Sequence, residues 1–314
     1  MNPDVRQYSA CRRIPWSVLT QLSSKQACFG RDLFFRESLE DADSVWQGQA
    51  VEMLGRCATI LFKPDAIVGR RVAPALRELK HHGFVPISVS SHTLTRHAYR
   101  ALWQYQVPLM PKSLTDSFEA LFRQTPALHV VLKDLAEASL PASVRLAALK
   151  GPASPRRRQP HQLRARLSSP NRITTFVHSA DEPADIVREF GVLLGEHARR
   201  ERLEQIRADW QRDLSDVLLD YASDLYATYP SVDFQAVQRA AEAGLHNPRE
   251  SPEFAYWTSV AETALEVHAD VHRVDAGQFD VIYGSGLEEW LESLRSNEVP
   301  PLQPSSLNTS SPAA

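Results

Sequence analysis

Two groups of residues near the middle of this chain have the types and spacing for chemistry on phosphate. Lys63-Pro64-Asp65 directly follows the apolar run Ala58 to Phe62. A cation therefore stands where a short buried strand ends and where proline and aspartate stop pairing. Val177-His178-Ser179-Ala180-Asp181 follows a second β-prone run, and Glu189 comes eight residues after Asp181. A neutral imidazole is a competent nucleophile near pH 7, because its unperturbed pKa is about 6.5. His178 is of the right type for that work. Glu189, one or two turns into the following helix, can hold the other ring nitrogen and fix the tautomer. Lys63 can supply positive charge to a terminal phosphate. Phosphoryl transfer asks little more of a protein than such positioning and charge neutralisation. Arginines between Lys150 and Arg172 can add bidentate pairing with phosphate oxygens.

Each residue also has an ordinary reading. A histidine at a strand-to-helix junction is commonly a surface or capping residue. Glu189 fits a solvent-facing helix position. Pro155-Arg156-Arg157-Arg158 fits a solvated charged run, or a contact for RNA or a partner. His81-His82 and His268/His272 lack an evident third ligand, so they read as structural rather than metal-binding.

The elements that must position these residues follow from periodicity. Ala58 to Phe62 reads as a buried strand. Val72, Ala75, Leu76 and Leu79 recur at helical spacing, and Gly83 ends that helix. Val85, Ile87 and Val89 alternate as a strand, with Pro86 favouring an edge. Helices over Thr95 to Tyr105 and Leu114 to Arg123 precede a central strand, Leu128 to Leu132, and a helix follows over Ser143 to Leu149. Lys150 to Arg172 reads as a long loop. Ile173 to Val177 is a short strand ending just before His178. Ser179 or Asp181 then caps a helix with Pro183 in its first turn. The order suits an α+β sandwich of the ferredoxin-like βαββαβ type, with an antiparallel sheet covered by helices. An all-α domain follows, led by an apolar stripe from Trp210 to Leu225. The expected units are an N-terminal arm over 1–55, the α+β domain over 56–197, the helical domain over 198–298, and a disordered Pro/Ser-rich tail over 299–314.

Bulk properties bound the function. The 314 residues carry a net charge of -3, with 43% hydrophobic and 23% charged residues. This is an ordinary globular composition, and it argues against a protein built to coat nucleic acid. Cys11, Cys28 and Cys57 show no CxxC spacing, so neither a disulfide framework nor a zinc site is expected. No run approaches the roughly 20 apolar residues of a membrane span, and no signal peptide is apparent. A cytoplasmic location is expected by default.

Three blocks occur in one order over nearly half the chain: Thr59 to Asp65, Ala127 to Val131, and Val177 to Asp181 with Glu189. Together they resemble the nucleoside diphosphate kinase family. The resemblance implies a ping-pong phosphotransferase that moves the γ-phosphate of ATP through a phosphohistidine to a nucleoside diphosphate. His178, Lys63 and Glu189 take the catalytic positions. Tyr99, Arg145, Ser154, Arg164, Arg166 and Thr175 fall at or near the nucleotide-binding ones. Mg²⁺ would enter with ATP, held mainly by its phosphates, and assembly into a homo-oligomer is implied. The match departs in detail. Thr175 stands where the family has asparagine, Ser179 and Ala180 where it has glycine and serine, and Leu109-Met110 where it has an aromatic pair. Two alternatives therefore stay open. One is a degenerate nucleotide-binding or regulatory module. The other is a partner-binding or oligomerising protein that acts through its C-terminal helices.

Overall fold

The computed structural model describes residues 14–136, 138–244, 251–270 and 286–296. The tail, His272 and the side chain of His268 lie outside the described residues. Four strands form one sheet: β1 (Cys57–Phe62), β2 (Phe84–His92), β3 (Ala127–Asp134) and β4 (Val177–Ser179). Their spatial order is β2-β3-β1-β4, and every neighbouring pair is antiparallel. The two central strands are almost wholly buried, which is why they read as continuous apolar runs rather than alternating ones. Pro86 lies on the edge strand β2, where the pairing with β3 slips between Pro86 and Ser88. The Pro86 carbonyl instead accepts from the Leu214 amide at 2.8 Å. The arrangement is the expected α+β sandwich, with the Arg96–Leu102 and Lys112–Leu121 helices inserted between β2 and β3.

Helices cover both faces. The side chains of Ala58, Ile60 and Phe62 join a core with the Val72–His81 and Ala142–Lys150 helices. Cys57, Ile87 and Val131 join a second core with the Leu33–Val45, Pro183–Leu193 and Glu196–Ala208 helices. Trp46 ties the N-terminal helices to the body, its indole N–H donating to the Leu203 carbonyl at 2.9 Å.

Three local expectations are corrected. The residues 173–176 form a turn, and His178 sits inside β4 rather than after it. The cause is visible in the amides: the Asn171 side chain accepts from Ile173 and Thr174, and Asp65 accepts from Phe176. These donors are lost to any strand ladder. The following helix is capped by Glu182, in a reciprocal box with Asp185, rather than by Ser179 or Asp181. The Trp210–Leu225 stripe is broken, because the helix begins only at Ser215 after an Asp213 turn that binds the Ser215 amide. Trp210, Leu214, Leu218 and Ala222 are buried, and this helix packs on β2 and on the helices that follow β1. Val217, Leu219 and Tyr221 stay exposed on the same helix, so the stripe is only partly spent within the chain. Among the described residues, no helix is long and apolar enough to cross a membrane.

Candidate active site

Strand pairing sets the geometry. Leu61 of β1 lies opposite His178 of β4, and the Lys63 amide donates to the Phe176 carbonyl at 2.9 Å, one step beyond the ladder. Side chains alternate along a strand, so Thr59, Leu61 and His178 share one face. The Pro183–Leu193 helix crosses that face and delivers Glu189. His178 Nε2 and Glu189 Oε1 are 2.7 Å apart. The other carboxylate oxygen accepts from the Thr59 hydroxyl at 3.3 Å. Both side chains are largely but not fully sealed, at 18% and 9% exposed. A carboxylate only accepts hydrogen bonds, so this contact puts the imidazole proton on Nε2 and the lone pair on Nδ1. That is the tautomer a nitrogen nucleophile needs. Trp103 packs edge-to-face on the same ring, with centroids 5.1 Å apart.

Lys63 directly follows β1 and is 2% exposed. Its ammonium donates to the Ile173 carbonyl at 2.7 Å and lies 3.3 Å from Asp65 Oδ2. Burial pushes its pKa down to about 8; Asp65 opposes the shift, while Arg164 and Arg158 reinforce it. Arg164 is also buried and donates to the carbonyls of Gly151 and Val177 at 2.7 and 2.8 Å. Arg158 donates to the carbonyls of Pro152, Ala153, Ser169 and Asn171. Burial lowers both guanidinium pKa values to about 10. Phe176, between these groups, holds a left-handed backbone at φ 63, an uncommon conformation for a bulky side chain. Its amide bond to Asp65 and its carbonyl bond to Lys63 fix it there.

The remaining residues singled out in the sequence are dispersed. Arg145 pairs with Asp134 and lies over the Phe84 ring. Arg166 makes a surface pair with Glu78 at 3.0 Å. Ser154 starts a short 3-10 turn without using its hydroxyl as a cap. Thr175 is buried in the turn before β4, its amide bonded to the Ile173 carbonyl. Tyr99 is 2% exposed, packs on Trp103, Phe118 and Phe122, and its hydroxyl has no hydrogen-bond partner among the described residues. Burial raises its pKa.

Sequence reasoning missed Thr59, Trp103 and Lys150. Thr59 is two residues before Leu61, so the register of β1 against β4 would have shown it. Lys150, buried, donates to the Ser179 carbonyl at 3.2 Å and to Asp181 at 2.8 Å, and so braces the strand carrying His178. Arg158 belonged to a run that reads as solvated, and nothing local separates it from exposed Arg156 and Arg157. A cavity of about 10 Å³ adjoins His178, lined by Leu102, Ser179, Asp181, Asp185, Arg188 and Glu189. That is space for about one water. An aromatic chain runs from His178 through Trp103, Tyr99 and Phe118 to Lys63, whose ammonium lies 5.8 Å from the Phe118 ring centre. Among the described residues, no group of three or more His, Cys, Asp or Glu could hold a metal ion of its own.

No family model matches the chain, and no curated protein matches it. Solved structures do resemble part of it. The nucleoside diphosphate kinase of Encephalitozoon cuniculi is 15% identical, with a TM-score of 0.40, over 46% of this chain and 91% of that one. The nucleoside diphosphate kinase of Aquifex aeolicus is 16% identical, with a TM-score of 0.37, over 46% of this chain and 97% of that one. An NDP kinase from Pyrobaculum aerophilum is also 16% identical, with a TM-score of 0.38 and the same coverage. At these values the strand order and pairing carry the fold, and the side chains carry the chemistry.

Proposed function

We propose that the chain is a cytoplasmic phosphotransferase of the nucleoside diphosphate kinase type, in which His178 carries the phosphoryl group. The observation supporting this is the 2.7 Å contact between His178 Nε2 and Glu189. It leaves the Nδ1 lone pair for attack. In the first half-reaction Nδ1 bonds to the γ-phosphorus of ATP. The bond from that phosphorus to the β,γ-bridging oxygen breaks, and its electron pair leaves with ADP. In the second half the terminal oxygen of a nucleoside diphosphate displaces the imidazole, returning the lone pair to Nδ1. Glu189 stabilises the Nε2–H while the ring bears extra positive charge. Lys63, Arg158 and Arg164 give the floor of the site a positive balance that suits a polyphosphate. In this reading Mg²⁺ enters as part of the nucleotide complex, held mainly by the phosphates.

The direct test is incubation with γ-labelled ATP and Mg²⁺, followed by measurement of acid-labile label on the protein. The expected label depends on His178, is absent from His178→Ala, and moves to added GDP. Label on His178→Ala equal to that on the unaltered protein would overturn the assignment. A second reading, a nucleotide-binding module without turnover, is favoured by the aromatic packing between Lys63 and His178 and by the small cavity. It expects ATP to bind without any label forming.

A further inference from the structure

The helices Phe234–Ala243 and Pro252–Asp270 have no part in the chemistry above, yet they pack onto the segments that hold Lys63. Phe234 is fully buried, with its ring 5.4 Å from Phe176 and 5.0 Å from Trp257. It also presses on Gly69, at the end of the Pro64–Val68 turn of helix, where an added Cβ would lie 3.1 Å from the Phe234 ring. Two polar tethers reach the segment before β4. Gln235 donates to the Ser168 carbonyl at 3.0 Å, and the Asn171 amide donates to Gln238 at 3.0 Å. From the second helix, Trp257, Val260, Ala261 and Ala264 are buried, and the helix lies against Lys112–Leu121, which carries Phe118 beside Lys63.

Tyr256 makes the arrangement pointed. Its hydroxyl is buried, and Oδ1 of Asp65 is buried without a hydrogen-bond partner among the described residues. Burial first, then the Asp65 charge, raises the Tyr256 pKa, and a hydrogen bond with Gln124 opposes the rise. The other Asp65 oxygen holds Lys63 and the Phe176 amide. A phenol of the C-terminal helix thus feels the charge of the carboxylate that positions the lysine.

We propose that this helix pair is an intramolecular lid over Lys63, which must lift before a phosphoryl donor reaches the lysine and His178. The inference rests on the phosphotransferase reading, and it makes the protein self-restrained: apparent nucleotide affinity scales with the fraction of molecules whose lid is open. The lid stays down through apolar packing at Trp257 and Phe234 and through the two glutamine tethers. Anything that frees those contacts activates the site.

The test uses the full chain in three forms: unaltered, Trp257→Ala, and the double variant Gln235→Ala/Gln238→Ala. The double variant cuts the tethers without touching the core, so it guards against loss of fold in the first. Label from γ-labelled ATP and ATP binding by equilibrium dialysis are both measured, with His178→Ala as control. The expected result is labelling at least about tenfold faster in Trp257→Ala and several-fold faster in the double variant, with tighter ATP binding in both. A merely structural role predicts the reverse, because loosening a core slows a working site. Fast labelling of the unaltered protein that neither variant increases would overturn the lid and leave the phosphotransferase reading intact. No label anywhere, but tighter ATP binding by the variants, would support the lid and overturn the transfer reading. Neither label nor binding in any form would overturn both.

Discussion

Lys63 offers a quantitative check that joins stability to chemistry. The ordinary lysine pKa of 10.5 drops to about 8 here, chiefly through burial. The native state therefore disfavours the ammonium relative to the unfolded chain. Between about pH 8 and 10.5 the unfolded state binds more protons than the native one, so stability rises with pH across that window. The penalty is fully present below about pH 8 and relieved by about 10.5, and it amounts to about 3 kcal/mol. Lys63→Met removes the titrating group. The difference in unfolding free energy between the substituted and the native chain, measured by urea titration at pH 7 and at pH 10.5, is thus expected to shrink by about that amount at the higher pH. The same ionisation governs labelling. If the ammonium neutralises phosphate, the second-order rate of His178 labelling falls above about pH 8, roughly tenfold by pH 9. Lys63→Arg keeps its charge and stays flat over that range. A stability difference that is the same at both pH values refutes the depressed ionisation. A labelling profile that is flat for the native lysine refutes its role on phosphate.

Other perturbations follow from named contacts. Lys25 is fully buried, 2.6 Å from both Glu182 and Asp185; Lys25→Met strands two carboxylates and should cost roughly 3–5 kcal/mol in chemical denaturation, and a loss under about 1 kcal/mol would refute that account. Glu189→Gln keeps the size but ends the carboxylate's command of the tautomer, so His178 labelling should fall on the order of 100-fold with the fold retained by circular dichroism; an unchanged rate sinks the orienting role. Gly191 lets two helices touch, since a Cβ there would sit 2.1 Å from the Phe34 carbonyl; Gly191→Ala should cost about 3 kcal/mol or more, and an unchanged melting temperature would show that the helices part freely.

Much of the sheet was legible because its signals are local. The apolar run at β1, the alternation at β2 and the proline at its edge each state their own geometry, and the pairing of His178 with Glu189 follows from a strand-to-helix spacing. The failures came where side chains from elsewhere captured backbone amides. Nothing between Ile173 and Phe176 announces that Asn171 and Asp65 will take their N–H groups, so a β-prone run became a turn. The helix cap went to Glu182 for a similar reason. That carboxylate also accepts from Thr20, from the Gln21 amide and from the Trp290 indole, so it is held by both ends of the chain. The half-burial of Arg158 beside exposed Arg156 and Arg157 depends on carbonyls of the same loop turned inward. That is a property of the folded loop and not of the run of charges.

The partners of the buried cations separate structural from functional charge. Lys25 is neutralised by carboxylates at contact distance, so its charge is cancelled within the protein and an incoming anion gains little from it. Arg158 and Arg164 are held by backbone carbonyls instead. A carbonyl satisfies the N–H geometry but leaves the full positive charge in place. Holding such charges away from water is costly, and the depressed values of Lys63, Arg158 and Arg164, each set first by burial, register that cost. On the proposed reading, an anion that enters relieves that cost, which then contributes to affinity for phosphate. Exchanging a neutral carbonyl for an anionic oxygen gains charge pairing, whereas displacing a carboxylate gains none. On the proposed reading, Arg158 and Arg164 offer an anion a charge that the Lys25 network does not, while Lys63 shares its own with Asp65 at 3.3 Å.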